Sequence, residues 1–242
     1  MVFPQTMTAI CNVVAVMTFV ATILGHECNE YDLSPSDQSL VDMMKHYLHT
    51  SRKEGCSGKQ EDLGVTFIRW GRKSCPDTTE LVYTGQAGGN LHVNRGGGAN
   101  YLCLPNDPDN GKPFSYANEG LFGAEYEVSG TKSSIVSENF HDQEVPCAVC
   151  RRKLKSSVIM IPGKKSCYYG WHLEYNGILM TENSTHNVKD YVCVDADAEL
   201  LDNKSTGNEN GALFYAMRTK CGSLRCPPYT DSTEVNCVVC TK

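Results

Sequence analysis

The sequence lacks several features that would place it in a common functional class. Its 22 lysines and arginines are outnumbered by 28 acidic residues, which gives a formal net charge of −6. Proteins that hold nucleic acid through its phosphates need clustered basic side chains, so the charge balance argues against that class. The glycine-rich run Arg95–Gly98 lacks the Gly-Lys-Ser/Thr ending of a phosphate-binding loop. We therefore interpret that run as a flexible loop between strands.

A long apolar run is also missing, because the stretch Ala9–Leu24 is too short for a comfortable membrane span. It ends at Gly25, before polar residues, as a secretory signal peptide does. Residues 1–25 are therefore predicted to be a signal peptide. Met1–Thr8 carries no Lys or Arg, however, and an uncleaved signal anchor is the alternative. Cleavage would remove Cys11 from the 13 cysteines and leave an even number, which suits an oxidising compartment. The sequence thus predicts a secreted, extracellular protein.

Residues 26–62 form a polar segment with one helical pattern. Ser34–Asp37 supplies N-cap residues and an early proline, and apolar residues follow at three-and-four spacing. The predicted helix ends near Gly55 and is flanked by Cys28 and Cys56, which either close a local loop over it or link chains. Its apolar stripe covers roughly two heptads, which favours a docking helix over an independent coiled coil.

From Gly64 onward the sequence changes to short apolar runs separated by Gly, Asn, Asp and Pro, and no long helical period appears. Strands are predicted where β-branched and aromatic residues concentrate. They are Val65–Trp70, Glu80–Thr84, Glu125–Val128, Ser157–Ile161 and Ala212–Met217. Loops are predicted at Gly85–Gly98, Pro105–Pro113 and Asp202–Gly211. The fold class is therefore predicted to be all-β, preceded by the short N-terminal helix.

Four cysteines recur in order at a nearly constant offset, which is the mark of an internal repeat. Cys75 and Cys167 lie 92 residues apart, and three further pairs lie 90 apart: Cys103 and Cys193, Cys147 and Cys237, Cys150 and Cys240. The flanking segments agree as well: Gly71–Cys75 with Gly163–Cys167, Tyr101–Leu104 with Tyr191–Val194, and Gly120–Ala124 with Gly211–Ala216. We predict two tandem disulfide-stapled repeats, residues 63–154 and 155–242.

Each predicted repeat closes with a Cys-x-x-Cys motif, Cys147–Cys150 or Cys237–Cys240. Such a motif can hold zinc when four thiolates converge, exchange disulfides beside a thioredoxin-like turn, or anchor structural disulfides. Companion cysteines upstream and an exported chain favour the third interpretation. Cys221 and Cys226, both without a counterpart in the first repeat, agree with it, because losing one bridge removes both partners together.

The sequence offers no catalytic constellation. If every cysteine of the mature chain is bridged, no free thiol remains to act as a nucleophile. None of the seven histidines lies in a motif typical of a hydrolase; they are His26, His46, His49, His92, His141, His172 and His186. We therefore predict that the protein is not an enzyme and has no cofactor and no metal site.

Several segments between residues 63 and 242 together form a recognisable pattern. They are Gly64–Arg72, Glu80–Gly85, Gly96–Pro105, Leu121–Glu127, Val145–Cys150, Cys167–Trp171, Asn210–Tyr215, Cys226–Tyr229 and Cys237–Lys242. With these segments the chain resembles the C-terminal non-collagenous domain of type IV collagen. It resembles more closely the related domain of short-chain, spongin-type collagens. The resemblance implies a tandem of two β-rich halves that acts as an assembly module. No Gly-X-Y run occurs, so this chain cannot form a collagen triple helix.

The resemblance also implies a disulfide pattern, which spacing alone leaves open. Each half of the type IV domain joins its six cysteines first to sixth, second to fifth and third to fourth. Carried over, this implies the pairs Cys75–Cys150, Cys103–Cys147, Cys167–Cys240, Cys193–Cys237 and Cys221–Cys226. Cys28 and Cys56 lie outside the pattern and would pair with each other or between chains.

Three surface features have alternative interpretations. The basic run Arg151–Lys155 is either a solvated linker between the repeats or a patch for sulfated glycans or acidic matrix partners. Asn183 and Asn203 begin N-glycosylation sequons in predicted loops. Five aromatic residues either stack on a sugar or belong to the core; they are Trp70, Tyr83, Tyr101, Tyr169 and Trp171.

Taken together, these features predict a non-enzymatic extracellular structural or matrix-associated protein that works through protein contacts and forms a homo-oligomer. Its expected partners are extracellular matrix proteins or glycans, with no nucleic acid and no membrane. The alternative is a soluble carbohydrate-binding, lectin-like recognition protein. The missing collagen stretch, the aromatic residues and the loop-rich repeat suit that alternative.

Overall fold

The computed structural model describes residues 41, 43–44, 63–113, 115, 120–130, 133–202 and 207–242. The predicted signal peptide, Cys28, Cys56, Asn203 and all but three residues of the 26–62 segment lie outside this set. The chain divides into two units, residues 1–59 and residues 60–242. The second unit is described here.

The second unit has an all-β fold. Apart from one short 3₁₀ helix, Glu138–Phe140, the elements formed by its described residues are strands. They are β1 Gly64–Trp70, β2 Glu80–Gly89, β3 Leu102–Pro105, β4 Phe122–Tyr126, β5 Gln143–Glu144, β6 Pro146–Lys153, β7 Val158–Pro162, β8 His172–Thr181, β9 Val192–Asp195, β10 Ala212–Ala216 and β11 Asn236–Thr241. The predicted all-β class is confirmed.

The glycines of β2 explain where the sequence-based prediction of a loop was wrong. A loop was predicted from Gly85, but β2 continues to Gly89 before the glycine-rich loop begins. A Cβ on Gly85 would lie 1.7 Å from the carbonyl oxygen of Leu104 in β3. Glycine in a strand interior often marks such a close backbone approach, and here it lets β3 pair tightly with β2. The glycine therefore extends the sheet instead of ending the strand.

The same arrangement occurs in the long strand β8. A Cβ on Gly177 would lie 1.7 Å from the carbonyl oxygen of Val194 in β9. Strand β8 pairs with β11 over its first part, with β9 over Gly177–Met180 and with β10 at its end. Strand β2 likewise pairs with β6, then β3, then β4. Both long strands thus serve three partners in succession.

The strands form one eleven-stranded sheet that closes on itself. Its main path runs β10-β4-β2-β6-β1-β9-β8-β11-β7, with β3 paired to β2 and β5 paired to β4. Strand β10 also pairs with β8, so the path from β10 round to β8 is a ring. Two parallel pairings, β1 with β9 and β4 with β10, join residues of the two predicted repeats.

Both predicted repeats contribute to one aromatic core. The ring of Phe214 lies 4.3 Å from that of Tyr101, 6.2 Å from Trp70 and 6.4 Å from Tyr126, measured between centroids. The buried hydroxyl of Tyr101 donates to the carbonyl of Leu213 at 2.6 Å, so its polar atom is satisfied. A second cluster around Phe67, Tyr175 and Val239 lies beside it.

Candidate functional site

Five disulfides staple the described part of the chain. They are Cys75–Cys150, Cys103–Cys147, Cys167–Cys240, Cys193–Cys237 and Cys221–Cys226. These are the five pairs that the resemblance implies. The long bridges span 75 and 73 residues, and the shorter ones span 44 residues in both predicted repeats. In the chain-entropy model a loop of that shorter length stabilises the fold by about 4 kcal/mol.

Each Cys-x-x-Cys motif lies within a strand, which explains why its two cysteines have different partners. Side chains alternate between faces along a strand, so Cys147 and Cys150 point to opposite faces of β6. Cys147 packs in the cluster around Trp70, and Cys150 packs with Phe67. All four motif cysteines are in disulfides, so none of them is a free thiolate for zinc or redox exchange.

The basic run Arg151–Lys155 is not a solvated linker over its first three residues, contrary to the sequence-based expectation. Arg151, Arg152 and Lys153 belong to β6. Arg151 Nη1 and Lys153 Nζ lie 3.6 Å and 3.3 Å from Glu80 Oε2. Arg152 Nε lies 3.6 Å from Oε1 of the buried Glu174. These charges are engaged by neighbouring strands, which the sequence could not indicate without the pairing of β6 to β2.

The five aromatic residues considered for sugar stacking lie in different environments. Trp70 and Tyr101 are buried in the core. Tyr83 and Trp171 are half-buried, and the hydroxyl of Tyr83 donates to the carbonyl of Cys103 at 3.0 Å. Tyr169 is fully exposed. At least two of the five therefore cannot form a sugar-binding platform in this fold.

Asn183 is half-buried in the turn that follows β8. Its Oδ1 accepts hydrogen bonds from both the backbone N–H and the hydroxyl of Thr185, each at 3.0 Å. Ser184 and Thr185 are exposed. The first sequon thus lies at the protein surface.

A charged junction joins the two predicted repeats where β1 ends against β9. Trp70 pairs with Val194, and Arg69 Nε lies 2.6 Å from Asp195 Oδ2. Only 12% of the Arg69 side chain and 3% of the Asp195 side chain are exposed. Leaving either charge buried without the other would be costly, so this ion pair restricts which strand ends can meet here.

Beyond the ion pair, a basic turn after β1 contacts an acidic segment after β9. Arg72 Nη1 donates to the carbonyl of Asp197 at 2.8 Å, and its Nε lies 3.7 Å from Glu199 Oε1. The backbone N–H of Lys73 donates to the same carboxylate oxygen at 2.7 Å. The carbonyl of Gly71 accepts from the N–H of Glu199 at 2.9 Å. The two segments are therefore complementary both in their backbone hydrogen bonds and in their charges.

The residues of this junction have sequence counterparts at two other strand ends. At the offset of the predicted repeat, the turn 71–73 corresponds to 163–165 after β7, and residues 194–199 correspond to 104–109 at the end of β3. Gly71 and Gly163 both have a positive φ, 85° and 77°, which favours glycine at each. Among the described strands, β3 and β7 do not pair with each other. Each predicted repeat thus leaves one half of the junction unmatched within the described part of the chain.

The unmatched halves keep the charges of the junction. Lys164 and Lys165 follow β7 where a basic pair follows β1, and Asp107 and Asp109 follow β3 where an acidic pair follows β9. Asp107, Asp109 and Lys165 are exposed, and Lys164 is half-buried. A basic and an acidic surface of matching pattern therefore remain on one chain.

At the two unmatched ends, both residues of the buried ion pair are replaced by apolar residues. The position of Arg69 corresponds to Ile161, and that of Asp195 corresponds to Pro105. If these two surfaces met as the halves of the junction do, Ile161 would lie opposite Pro105. No buried charge would then be left without a partner.

Strand β7 adds an open apolar edge to this surface. Among the described strands β7 pairs only with β11, and Val158 and Ile159 are 39% and 45% exposed. A groove of about 250 Å³ lies beside it, lined by residues that include Phe67, Met160 and Tyr191. Exposed strand edges commonly carry charged side chains that block pairing, and Val158–Ile161 carries none.

Sequence analysis missed one group of side chains that could hold a metal ion: Glu127, His141 and Asp142. Their ligand atoms all lie within 4.8 Å of one another. Glu127 follows β4, whereas His141 and Asp142 lie between the 3₁₀ helix and β5. The adjacent His-Asp pair was the available signal, but its partner lies 14 residues earlier in the chain and is brought close only by the pairing of β5 with β4.

No helix among the described residues is long and apolar enough to cross a membrane. The chain matches no protein-family model, and a search of curated proteins found no match.

Proposed function

We propose that the chain is a secreted, non-enzymatic assembly module of the extracellular matrix, related to the non-collagenous domain of short-chain and type IV collagens. Copies would associate head to tail, the β7 end of one contacting the β3 end of the next. The observation that carries this proposal is the unmatched pair of junction surfaces, Lys164–Lys165 and Asp107–Asp109.

An internal duplication is supported by features that recur at equivalent places. The long disulfides have nearly the same spans in both predicted repeats. Gly85 in β2 and Gly177 in β8 make the same close approach to a carbonyl oxygen of the next strand, β3 or β9, which carries a disulfide cysteine. Five disulfides also suit an oxidising compartment, which supports an extracellular location.

Each repeat carries one basic and one acidic end, and among the described residues the two repeats join through one basic end and one acidic end, at the junction of β1 with β9. The other two ends remain available to a second copy, because their backbone turn and charge pattern repeat those of the internal junction. The paired replacement of Arg69 and Asp195 by Ile161 and Pro105 supports an interface at the free ends, since each change compensates the other. A strand added at the open edge of β7 would also cover Val158 and Ile159.

The test reverses the charge of each free end separately. Lys164→Glu/Lys165→Glu and Asp107→Lys/Asp109→Lys are each expected to reduce self-association, because like charges would face each other across the interface. An equimolar mixture of the two variants should associate again, since one intact basic end then meets one intact acidic end. Light scattering of the secreted full-length protein across micromolar concentrations measures each case.

The control is Arg95→Glu, which reverses an exposed basic charge in the glycine-rich loop and should leave association unchanged. Circular dichroism and the melting temperature show that each variant is folded. A wild-type protein that stays monomeric throughout, or a mixture that stays as dissociated as its components, would refute the proposed interface.

The carbohydrate-binding alternative has weaker support. It depends on exposed aromatic side chains, and Trp70 and Tyr101 are in the core. Binding on a glycan array by a variant that cannot self-associate would favour this alternative over assembly.

A further inference from the structure

A group of side chains that could hold a metal ion lies where the chain returns to β4. After the 3₁₀ helix, the N–H of Asp142 donates to the carbonyl of Tyr126 at 3.0 Å, and Asp142 adopts a φ of 59°. This places His141 and Asp142 opposite Glu127, which is 8% exposed. Three side chains of metal-ligating type therefore converge at one point of a small hairpin.

The distances in this group fit a shared ion better than hydrogen bonds. His141 Nδ1 lies 3.3 Å from Glu127 Oε2 and 3.5 Å from Asp142 Oδ1. Neither His141 Nδ1 nor Asp142 Oδ1, both inaccessible to solvent, makes a hydrogen bond with the described residues. Zinc held tetrahedrally at about 2.0–2.2 Å from nitrogen and oxygen ligands separates those ligands by roughly 3.3–3.5 Å. The observed spacings fall in that range.

The surroundings also favour a cation. The charged groups that act on Glu127 are Asp142 and Glu182, which are acidic, and His141 and His186, which bind metals when neutral. The nearby Tyr215 reports the negative potential, because burial and the carboxylates of Glu127, Glu182 and Asp142 raise its pKa to about 12. The carboxylate oxygen Oδ1 of Asp142, which accepts no hydrogen bond from the described residues, would gain its missing partner from an ion.

We propose that Glu127, His141 and Asp142 form a binding site for a borderline divalent transition-metal ion of the Zn²⁺ class. One imidazole nitrogen and two carboxylate oxygens are a known type of ligand set for such ions, whereas Ca²⁺ prefers oxygen ligands alone. The ion would fasten the return segment 138–144 to the end of β4. None of its three residues belongs to the proposed assembly surface.

The test measures Zn²⁺ binding to the full-length oxidised protein by equilibrium dialysis and calorimetry, after any free thiols have been alkylated. Wild type should bind one Zn²⁺ that Glu127→Gln, His141→Gln and Asp142→Asn each weaken at least tenfold, since even residues behind the ligands change affinity by about 10–100-fold. Asn tolerates a positive φ, so Asp142→Asn removes a ligand without straining the backbone. The melting temperature without metal shows whether each variant folds.

Two control variants keep the test specific. His172→Gln removes an exposed histidine from β8, and Glu138→Gln removes an exposed acid beside the site; both should bind Zn²⁺ as wild type does. X-ray absorption at the zinc edge should show nitrogen and oxygen ligands without sulfur. The absence of stoichiometric binding at micromolar Zn²⁺, or binding that the three site variants leave unchanged, would overturn the proposal.

Discussion

At the scale of single residues, the buried carboxyl of Glu127 should make the stability of the fold depend on pH. Burial raises the pKa of Glu127, and the carboxylates of Asp142 and Glu182 add to the rise, while His141 and His186 partly oppose it. Between its ordinary value and this raised pKa, the folded protein holds a proton that the unfolded chain has released. The contribution of Glu127 to stability therefore falls as pH rises through that interval.

Glu127→Gln removes this titration and should show the effect directly. In metal-free buffer, the free energy of unfolding of the variant is expected to increase relative to wild type as the pH rises from 4 to 7, because wild type must bury a charge and the variant need not. Urea unfolding with the disulfides intact measures the difference at each pH. A difference that stays constant, or that moves in favour of wild type, would contradict the prediction.

The contact partners of individual residues could not be predicted from the sequence. Spacing permits many disulfide connectivities, and the pairs seen here were implied by a resemblance and not by the cysteines themselves. The ion pair of Arg69 with Asp195 joins residues 126 positions apart and depends on the parallel pairing of β1 with β9. Glu127 and His141 meet through β5, a strand of two residues that has no visible sequence pattern. Contacts of this kind follow from topology and could not be predicted from local sequence.

At the scale of elements, the glycines within β2 and β8 control how closely the next strand can pair. Gly85→Ala and Gly177→Ala would each place a methyl group 1.7 Å from a carbonyl oxygen, so backbone must shift. Each is expected to destabilise the protein by about 1–3 kcal/mol or more, which is the usual cost of overpacking. Gly96→Ala is the matched control, because its Cβ would meet nothing within 4 Å, and should change stability by less than about 0.5 kcal/mol.

Chemical denaturation with intact disulfides measures all three alanine variants. A Gly177→Ala protein as stable as Gly96→Ala would show that β9 does not depend on the close approach. Equal losses for Gly85→Ala and Gly177→Ala would agree with equivalent roles in the two predicted repeats.

Strand predictions succeeded where β-branched and aromatic residues are frequent and failed where another signal dominated. Strands β1 and β7 were predicted within one or two residues because such residues make up most of each strand. Strands β6 and β11 were not predicted, because each contains a Cys-x-x-Cys motif, which indicated cysteine chemistry and not a strand. Both lie between other strands of the sheet. Strand β8 was missed because it mixes polar residues and Gly177 with its apolar ones. A glycine that signals a turn in isolation signals close pairing when the facing strand is known.

At the scale of the molecule, the all-β class followed from the sequence, whereas the ring-closed sheet did not. The ring depends on β10 pairing with both β4 and β8, and no local pattern encodes which of several similar strands will be neighbours. The two predicted repeats share one core, so they are not independent domains. This shared core makes the charged junction between β1 and β9 the most informative template for contacts between copies.

The proposed interface makes a prediction about stoichiometry. A surface at β7 that contacts a different surface at β3 is heterologous, so two copies joined by a single contact still leave one basic and one acidic end free. Further copies add to these ends, which produces an open filament or a ring that closes when its last two ends meet. Sedimentation equilibrium of the wild-type protein is therefore expected to show species larger than a dimer, or a dimer that is closed by both contacts at once. Their association should weaken as salt rises, because the exposed Lys165, Asp107 and Asp109 are screened. A dimer that persists over the concentration range without growing, and that ignores salt, would require an isologous surface elsewhere and would exclude the head-to-tail arrangement.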